Sequence, residues 1–575
     1  MRLSKVVGKR IKEDPKDAQT ISHKLLVRGG YIRPVSAGIY SLLPMAKKVI
    51  TKIEAIIRQE MNRVEGQEVL LPVVLPAELW EESGRYKTVG AELLRFKDRN
   101  NKEMLLGMTH EEAVVHLFRT EVTSYKQLPA MLYQIQTKYR DEARPRAGLI
   151  RVREFTMKDA YSFHETQDDL EQYYERVHEA YERIFKRIGM NNVISIKANS
   201  GMMGGSVSHE FMAVADCGED TLFLSPDRQY KANREIAVSS IKFDSTEEQL
   251  ELEKVHTPNK ESIEDVSSFL GLKPENTGKA VFYSTESDEL VFVMIRGDFE
   301  VNETKLKNHL QVNELSFATD EQIKAIGAEP GFASPLGVDF DSVKVVVDPS
   351  VVGSTNLVVG ANEKDYHFKN FNFKRDLDKG DVVDIATVRA GDPCPMTGQP
   401  LEEKRGVEVG NIFQLGTKYT KSMGCTYLDR NGKSQVPIMG CYGIGVGRSM
   451  AAIIEGSHDK WGPIWPITVA PFDIQICALN IKKSEVLEAS EKLYSELLDS
   501  NLDVLYDDRG EKPGAMFSDA DLIGVPFRIV VSPKTIANNE VELKKRGEKD
   551  GQLLKVEDVL STVKQLINDE YEKYN

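Results

Sequence analysis

A basic cluster over residues 126–158 is the first feature of the sequence that could bind a polyphosphate. The chain has 575 residues and a formal net charge of −14, yet this stretch holds eight lysines and arginines against three acids. Guanidinium groups bind phosphate oxygens through paired N–H donors, so a local excess of arginine favours a phosphate ligand. A solvated surface loop has the same composition, and charge alone leaves both interpretations open.

The order of side chains in this cluster, YRDEARPRAGLIRVREF, is more specific than its charge. Alternate strand residues share a face, so we expect Arg140 and Glu142 on one strand face, and Arg151, Arg153 and Phe155 on one face of a returning strand. The chain has no GxxxxGK(S/T) string, and its GCYGIGVGR string does not fit GxGxxG. A nucleotide would therefore be held by side-chain cations on a sheet.

Local patterns predict the elements that would position these side chains. Apolar residues recur at helical spacing over 45–64, and a short apolar run over 69–74 predicts a buried strand interrupted by Pro72. Thr109, followed by a glutamate three residues later, predicts a capped helix over 109–120. A further amphipathic helix is predicted over 166–188, with a threonine as its N-cap.

Composition changes along the chain and predicts its domains. An acidic stretch over 244–265 indicates an exposed boundary segment next to a self-contained α+β pattern. A glycine-rich, strand-like segment over 407–465 needs the first segment to complete a site. Strands and helices alternate after residue 472 and predict a small α/β domain with a mainly parallel sheet. The expected bounds are 1–223 and 407–466 for one divided domain, 224–406 for an insertion and 467–575 for a C-terminal domain.

Composition also excludes several protein classes. The sequence is 41% hydrophobic and contains no run of 18 apolar residues, so it gives no support for a membrane-spanning helix. The first residues lack the apolar core of a secretory signal. Five cysteines without a CxxC pair are typical of a reducing cytoplasm, where we expect the protein to be located.

Three motifs, in the right order, resemble those of the class II aminoacyl-tRNA synthetases. The helix, strand and Pro72 over 45–74 resemble motif 1, the Arg-x-Glu string with its basic loop resembles motif 2, and GIGVGRSMAAIIE at 443–455 resembles motif 3. Four further strings extend the resemblance to bacterial-type prolyl-tRNA synthetases over essentially the whole chain: MTHEEA, MKDAYSFH, GGSVSHEF and NIFQLGTKYT. The resemblance implies an α+β fold with a class II antiparallel sheet and flanking helices, an inserted α+β editing domain and a C-terminal α/β anticodon-binding domain.

The resemblance implies a role for each matching residue. The expected catalytic residues are Arg140 and Arg448. The expected ATP-binding residues are Arg140, Glu142, Arg151, Phe155, Gln414, Thr417 and Arg448. The expected proline-binding residues are Thr109, Glu111, Arg140, Met157, Ser208, His209, Phe211 and Cys441. ATP is expected to arrive with Mg²⁺, for which Glu408 is a possible ligand.

A proline site rejects alanine poorly, and the inserted domain could correct the resulting mischarging. One missing methylene changes binding by only about 1–3 kcal/mol, so a second, hydrolytic site is the physical remedy. The resemblance implies that the inserted domain hydrolyses mischarged alanyl-tRNA(Pro). The matching residues there are Lys279, Gly331, Pro335, Asp348 and His367. Each alone also fits an ordinary surface or turn position.

The implied activity is ligation of proline to tRNA(Pro) through a prolyl-adenylate, with release of AMP and pyrophosphate, by a homodimer. Two alternatives stay open. A non-catalytic, synthetase-like tRNA-binding paralogue would be expected to lack Arg140, Glu142 or Arg448, and a stand-alone editing hydrolase leaves motifs 2 and 3 unexplained. The cations of the C-terminal domain expected near RNA are Arg509, Lys512, Arg528 and Lys534.

Overall fold

The computed structural model describes residues 1–198, 207–312 and 314–574. These residues form two compact units. The larger unit comprises Met1–Asp220 and Arg405–Asn575, and the smaller unit comprises Thr221–Lys404. Within the described part of the chain, no helix is both long enough and apolar enough to cross a membrane.

The first part of the larger unit supplies the long helices and half of its central sheet. Its elements are α1 (Ile21–Arg28), β1 (Ile32–Ser36), β2 (Ile39–Leu42), α2 (Pro44–Arg63), β3 (Gln67–Glu68), β4 (Val74–Pro76), α3 (Ala77–Glu82), α4 (Arg85–Thr88), β5 (Arg95–Lys97), β6 (Glu103–Leu106), α5 (Glu111–Glu121), β7 (Ala130–Tyr139), β8 (Glu154–His164), α6 (Gln167–Arg187), β9 (Val193–Lys197) and β10 (Val207–Val214).

The middle of the chain contains shorter elements. They are β11 (Asp220–Leu224), β12 (Lys231–Asn233), β13 (Glu253–His256), α7 (Ile263–Leu270), β14 (Gly278–Thr285), β15 (Leu290–Arg296), α8 (Glu303–Leu310), β16 (Leu315–Phe317), α9 (Asp320–Ala325), β17 (Lys344–Val347), α10 (Pro349–Val352), β18 (Leu357–Gly360), β19 (Tyr366–Phe371) and β20 (Asp381–Val382).

The last part of the chain completes the central sheet and adds a second sheet. Its elements are β21 (Glu402–Gly416), α11 (Lys418–Ser422), β22 (Tyr427–Leu428), β23 (Ser434–Gln435), β24 (Ile438–Gly445), α12 (Val446–Gly456), β25 (Ile474–Ala478), α13 (Ser484–Asp499), β26 (Val504–Asp507), α14 (Pro513–Ile523), β27 (Phe527–Val531), α15 (Pro533–Ile536), β28 (Glu540–Lys545), β29 (Gln552–Lys555) and α16 (Val559–Glu572).

The central sheet of the larger unit is antiparallel. Strands β9, β10, β21, β24, β8 and β7 are neighbours in that order, and β3 adds to β7 in parallel. The apolar stripes of α2, α6 and α12 pack together with one face of these strands and form the main buried core. Part of the opposite face packs against α3 and α5 in a second core cluster, and the rest of it lines a cavity.

The predicted helices over 45–64 and 166–188 are confirmed as α2 and α6. The side chain of Thr166 accepts a hydrogen bond from the backbone of Asp169, as an N-cap should. Both predictions succeed because a long amphipathic stripe has few alternative packings.

Two local predictions are wrong. Residues 69–73 form no strand, and Leu70 is 74% exposed, because Pro72 has no N–H with which to continue a ladder. Helix α5 begins at Glu111, its N-cap position is His110, and the side chain of Thr109 makes no cap. The hydroxyl of Thr109 instead donates to the carboxylate of Glu111.

Besides the antiparallel pair β11 and β12, two sheets lie in the described part of the smaller unit. One is the antiparallel set β13, β19 and β18, and the other is the mixed set β16, β14, β15, β17 and β20. The acidic stretch over 244–265 lies inside this unit, not at its boundary, because β13 pairs with β19 and the stretch ends within α7.

The C-terminal sheet is mixed, whereas the sequence pattern predicted a mainly parallel one. Strands β26, β25 and β27 are parallel, and β28 and β29 add as an antiparallel hairpin. The hairpin is missed because its strands are rich in charged residues, which lack the apolar run of a buried strand.

Candidate active site

A cavity of about 460 Å³ opens on the face of the central sheet that the long helices leave free. Its floor consists of residues at alternate positions of three neighbouring strands, which share one face. These residues are Met157, Asp159 and Tyr161 of β8, Cys441, Gly443 and Gly445 of β24, and Val409, Asn411 and Phe413 of β21. The volume suits a small-molecule ligand.

Arg140 and Arg448 line this one cavity although they lie far apart in the sequence. Arg140 directly follows β7, and Arg448 is the third residue of α12. The pKa of Arg140 is lowered, first by desolvation and next by the positive charge of Arg448. Glu408 Oε2 lies 3.9 Å from Arg448 Nη1 and offsets part of this repulsion. Two guanidinium groups that face one cavity still favour an anionic ligand between them.

The guanidinium of Arg448 is fixed by backbone carbonyl groups. Its Nε donates to the carbonyl of Ile150 at 2.9 Å, and its Nη1 donates to the carbonyl of Glu408 at 2.8 Å. The Nε of Arg140 donates to the carbonyl of Met108 at 3.4 Å. Both cations are therefore oriented before any ligand binds.

Glu142 and Arg151 form an ion pair at 2.8 Å, and both line the cavity. The hydrogen bond from Arg151 is the main reason that the pKa of Glu142 lies below its usual range. Glu219, which sequence reasoning missed, pairs with Arg151 at 2.9 Å and with Arg146 at 2.6 Å. It holds the basic loop, and no local pattern links it to arginines about 70 positions earlier.

The strand alternation predicted that the basic residues around the loop share strand faces, and this prediction is wrong. Strand β7 ends at Tyr139 and β8 begins at Glu154, so only Phe155 of the predicted set belongs to a strand. Glu142 N donates to the carbonyl of Arg140 at 2.7 Å, which turns the chain directly after β7. The ring of Phe155 nevertheless lies 5.3 Å from the Arg140 guanidinium carbon.

A second end of the cavity carries an excess of negative charge. The Thr109 hydroxyl donates to Glu111 Oε2 at 2.5 Å, and Arg85 Nη1 lies 3.4 Å from Glu111 and 3.2 Å from Glu112. Desolvation raises the pKa of the buried Glu112. One guanidinium thus serves two carboxylates, and this end favours a cationic group. Sequence reasoning missed Arg85, which lies in a short helix without a motif.

A buried network beneath this end fixes the start of α5. Lys138 Nζ lies 2.7 Å from Asp159 and 2.8 Å from His110 Nδ1, and His110 Nε2 donates to the carbonyl of Pro72. Desolvation lowers the pKa of both Lys138 and His110. The Tyr161 hydroxyl accepts from the backbone of His110 and donates to Asp159. The next residue along the chain, Glu111, is thereby held at the cavity.

Three predicted site residues lie on the opposite face of the sheet. Gln414 accepts from Gln167 of α6 at 3.0 Å, and His209 is hydrogen-bonded to the Tyr174 hydroxyl of α6 at 2.8 Å. Phe211 packs against aromatic rings of α6. Strand alternation is the reason, because Phe413, the residue before Gln414 on β21, lines the cavity.

Two more predicted residues are absent from the cavity wall. Thr417 is exposed at the start of α11. Ser208 is buried opposite Phe413 on the neighbouring strand, beyond the lining residues. The first part of the GGSVSHEF string, 204–206, lies outside the described residues.

A separate cavity of about 550 Å³ lies within the smaller unit and is lined by Lys279, Gly331 and His367. Lys279 Nζ donates to the carbonyl of Phe299 at 2.9 Å and to Glu300 at 2.7 Å. His367 is buried, and desolvation lowers its pKa. The neutral ring is hydrogen-bonded through Nδ1 to Thr257 at 2.7 Å.

The loop beside this cavity is built around a glycine and an asparagine. Gly331 has φ +82°, a conformation that favours glycine. The side chain of Asn362 accepts from Ser334 N at 2.8 Å and donates to the carbonyls of Ser334 and Leu336. The asparagine therefore fixes the loop that borders the cavity.

Two predicted residues of the insertion lie away from this cavity. Both carboxylate oxygens of Asp348 accept backbone N–H groups, from Ser350 at 2.9 Å and from Ile385 at 3.0 Å. Desolvation raises the pKa of this buried carboxyl. Asp348 caps α10 and is structural, and Pro335 is also absent from the cavity wall.

Comparisons with known proteins agree on one family. Residues 94–457 match the tRNA synthetase class II core domain (G, H, P, S and T), and residues 473–566 match the anticodon binding domain. The chain is 49% identical to the proline–tRNA ligase of Pelobacter propionicus over 97% of both chains. It is 47% identical to the proline–tRNA ligase of Bacillus subtilis over 95% of this chain and 97% of that one.

Solved structures share the fold at much lower identity. The crystal structure of prolyl-tRNA synthetase from Cryptosporidium parvum, complexed with L-proline and AMP, matches with a TM-score of 0.57 at 13% identity. The match covers 96% of this chain and 78% of that chain.

Proposed function

The chain belongs to the proline–tRNA ligase family of class II aminoacyl-tRNA synthetases, and on this premise we propose how its two cavities divide the work. The cavity of the larger unit activates proline with ATP. The observation that carries this proposal is the meeting of Arg140 and Arg448 in one cavity, opposite the carboxylate of Glu111. One end suits a polyphosphate and the other suits an amino group.

Proline and ATP react directly in this proposal. A carboxylate oxygen of proline forms a bond to the α-phosphorus, and the bond from that phosphorus to the bridging oxygen of pyrophosphate breaks. Arg140 stabilises the charge that develops on the α-phosphate, and Arg448 binds the terminal phosphate. The terminal ribose hydroxyl of tRNA(Pro) then takes the prolyl group and releases AMP. The side chains act mainly by positioning and by charge stabilisation.

The adenine and proline ends use different side chains. Glu142 accepts from the adenine amine, Phe155 stacks on the ring, and Arg151 contacts phosphate. Glu111 and Thr109 bind the secondary ammonium of proline. Its positive charge balances the second of the two carboxylates that share Arg85. Met157 and Cys441 form the wall around the proline ring. We propose no substrate contact for the five predicted residues outside the cavity wall.

Mg²⁺ accompanies ATP in this proposal, and the donor set of the cavity fits it in part. No group of three or more His, Cys, Asp or Glu side chains in the described ranges could hold a metal by itself. Glu408 lines the cavity and is oriented by a 2.8 Å hydrogen bond from Asn411. One carboxylate together with substrate phosphates is a usual Mg²⁺ environment, in which the ion neutralises phosphate charge.

The smaller unit hydrolyses alanyl-tRNA(Pro) in this proposal. A cavity with a buried neutral histidine, a lysine and a glycine loop supports it, together with the poor rejection of alanine by any proline site. The compact unit Thr221–Lys404 supports the proposed insertion over 224–406 and the division of the first domain into 1–223 and 407–466. We keep 467–575 as the proposed anticodon-binding domain.

Partners and location complete the proposal. The anticodon arm of tRNA(Pro) binds the C-terminal domain, where Lys512 and Lys534 follow the carboxyl ends of β26 and β27. Two apolar side chains near the end of α2, Leu70 and Val74, are 74% and 47% exposed and support a homodimer through this region. The cysteines form no disulfide, which supports a cytoplasmic location.

Exchange of pyrophosphate into ATP tests the ligase proposal. The parent chain is expected to catalyse exchange only when proline is present. Arg448→Ala is expected to lower kcat/KM for ATP by about 100-fold or more, since loss of one well-placed donor to a developing charge costs about 2.7–4 kcal/mol. Arg144→Ala, at an exposed position outside the cavity wall, is the matched control. A folded parent chain without exchange activity would overturn the proposal.

Hydrolysis of alanyl-tRNA(Pro) tests the editing proposal. Lys279→Ala and His367→Ala are expected to slow hydrolysis while proline-dependent exchange stays intact. Loss of both activities together in either variant would contradict separate sites.

A further inference from the structure

A third cavity, of about 310 Å³, lies at the amino edge of the C-terminal sheet, and no step of the ligase reaction uses it. Gln475 is the second residue of β25, and Arg528 is the second residue of β27. Gln475, Arg528 and Lys544 are cross-strand neighbours and lie in one row on the same sheet face. The turn that contains Trp461 lies at the same cavity.

Several polar atoms of the cavity wall are buried and have no hydrogen-bond partner among the described residues. They include both amide atoms of Gln475, a residue with 0% exposure, and the Nε atoms of Arg528 and Arg546. Arg528 Nη1 donates to Asp521, and both terminal nitrogens of Arg546 donate to Asp459. Buried polar groups are nearly always paired in native proteins, so this set calls for a ligand.

The charge and rim of the cavity indicate the kind of ligand. Five cations and three acids line it, which leaves a positive excess. Trp461 at the rim is 57% exposed, whereas the other two tryptophans, Trp80 and Trp465, are buried. An exposed indole beside cations is typical of surfaces that stack an unpaired base and hold its phosphate.

The unpartnered atoms fit the edge of a nucleobase. The Gln475 amide offers a donor and an acceptor side by side, the pairing with which glutamine reads a base edge. The two Nε–H groups add donors for base or phosphate oxygens. We propose that this cavity binds one unstacked nucleotide of an RNA strand, with the base on Gln475 and Trp461 and the phosphate towards the lysines. The inference rests on the proposed function only for the source of that RNA, tRNA(Pro).

This site is separate from the surface expected to meet the anticodon. Of the four cations predicted near RNA, Arg509, Lys512 and Lys534 follow the carboxyl ends of β26 and β27, and only Arg528 lies at the amino edge. The domain therefore has two basic edges. Arg509 is itself neutralised by Asp507 and Asp519, at 2.8 and 2.7 Å.

Tryptophan fluorescence of the full chain tests the proposal, because only one tryptophan is exposed. The probes are a transcript of tRNA(Pro), each of the four nucleoside 5′-monophosphates, and inorganic phosphate. We expect saturable quenching by the transcript, weaker saturable quenching by at least one monophosphate, and none by phosphate. Trp461→Phe should abolish the signal, which assigns it to this cavity and not to the active site.

Substitution of the amide gives the decisive comparison. Gln475→Leu is expected to weaken binding of the transcript and of the monophosphate about tenfold or more. Its melting temperature should not fall, since the amide has no partner to lose. Gln565→Leu, at an exposed position of α16, is the matched control. If Gln475→Leu fails to fold, Lys549→Ala at the rim is the second variant, and it should weaken transcript binding and reduce its salt dependence.

Each other outcome overturns the inference. Unchanged binding by Gln475→Leu or Lys549→Ala removes the site. Quenching by phosphate as strong as that by a monophosphate shows an anion pocket only, and quenching by monophosphates without the transcript shows a site for free nucleotides. Proline-dependent exchange needs no tRNA, so its presence or absence reports on the ligase proposal separately.

Discussion

Charge complementarity at single residues organises the active-site cavity. The charge of Arg448 lowers the pKa of Arg140, and Glu111 and Glu112 share Arg85. In the proposed function a polyphosphate relieves the first imbalance and an ammonium relieves the second. The two ends of the cavity therefore favour ligand groups of opposite charge. A neutral analogue of proline should gain little from this arrangement.

Substitution of one carboxylate should separate proline binding from ATP binding. Glu111→Gln is expected to raise the KM for proline about tenfold or more, since hydrogen bonds to charged groups contribute about 1.5–3 kcal/mol. The KM for ATP should change less than about threefold. Glu112→Gln, in the adjacent position but outside the cavity wall, is the control and should change the KM for proline less. Equal effects in both variants, measured by exchange kinetics, would contradict the assignment.

Nine of the residues that the resemblance assigns to the ATP and proline sites line the cavity, including Arg140, Glu111 and Arg448, because the motifs that carry the resemblance contain them. The same reasoning failed for Gln414 and His209. Strand alternation puts both side chains on the helix side of the sheet, and their residue types do not indicate which face of β10 and β21 the helices cover.

At the scale of elements, the contact between β8 and α6 carries an unusual buried cation. Lys158 Nζ donates to the Tyr181 hydroxyl at 2.6 Å and to the carbonyl of Tyr442 at 3.1 Å. Desolvation lowers the pKa of Lys158 to about 7. Strand alternation puts this lysine on the helix side of the sheet, although both its neighbours line the cavity.

Stability should therefore depend on pH through Lys158. Between about pH 7 and pH 10.4 the folded lysine has lost its proton while the unfolded lysine keeps it, so unfolding takes up a proton. The contribution of Lys158 to the free energy of unfolding then rises with pH by at most about 1.4 kcal/mol per unit. Below pH 7 the lysine is charged in both states, and its unfavourable burial is fully felt.

Melting temperatures of the parent chain and Lys158→Met measure this dependence. Relative to the parent, the variant should be most stable at pH 6 and should lose that advantage steadily towards pH 9. Lys564→Met, at an exposed position, is the control and should show a difference that does not vary with pH. A constant difference for Lys158→Met would contradict the argument.

The loop that borders the cavity of the smaller unit is held by Asn362, and this contact can be tested. Asn362→Ala removes three hydrogen bonds to the segment 334–336 and should slow hydrolysis of alanyl-tRNA(Pro) about tenfold, through loss of loop order. Proline-dependent exchange should stay within about twofold. Lys273→Ala, exposed in the same unit, is the control. Equal loss of both activities would indicate general unfolding of the variant.

At the scale of the whole molecule, the fold class and the ligase activity predicted from the motifs are confirmed by the family. Long amphipathic helices are predictable because their apolar spacing recurs over many residues. The motifs are recognisable because several of them occur in a fixed order along the chain. The strand over 69–74 and the hairpin of β28 and β29 were mispredicted because short strands depend on partners elsewhere in the chain.

The proposed homodimer should depend on one exposed leucine, Leu70. The parent chain is expected to have twice the mass of 64.7 kDa in solution, and Leu70→Asp should shift it to the monomer, because a charge would replace apolar surface at the interface. Light scattering after size exclusion measures both. Leu553→Asp, 59% exposed on β29, should leave the dimer intact. A monomeric parent chain would contradict the dimer proposal.

The divided central sheet has a consequence for biosynthesis. Strand β8 leaves the ribosome roughly 280 residues before β24, its neighbour on one side, has been made. At about 5–20 residues per second, that edge waits on the order of half a minute. During this time its N–H and C=O groups on that side are unpaired and can pair with another nascent chain nearby. The order of translation therefore makes β8 the strand at which a chaperone would first be needed.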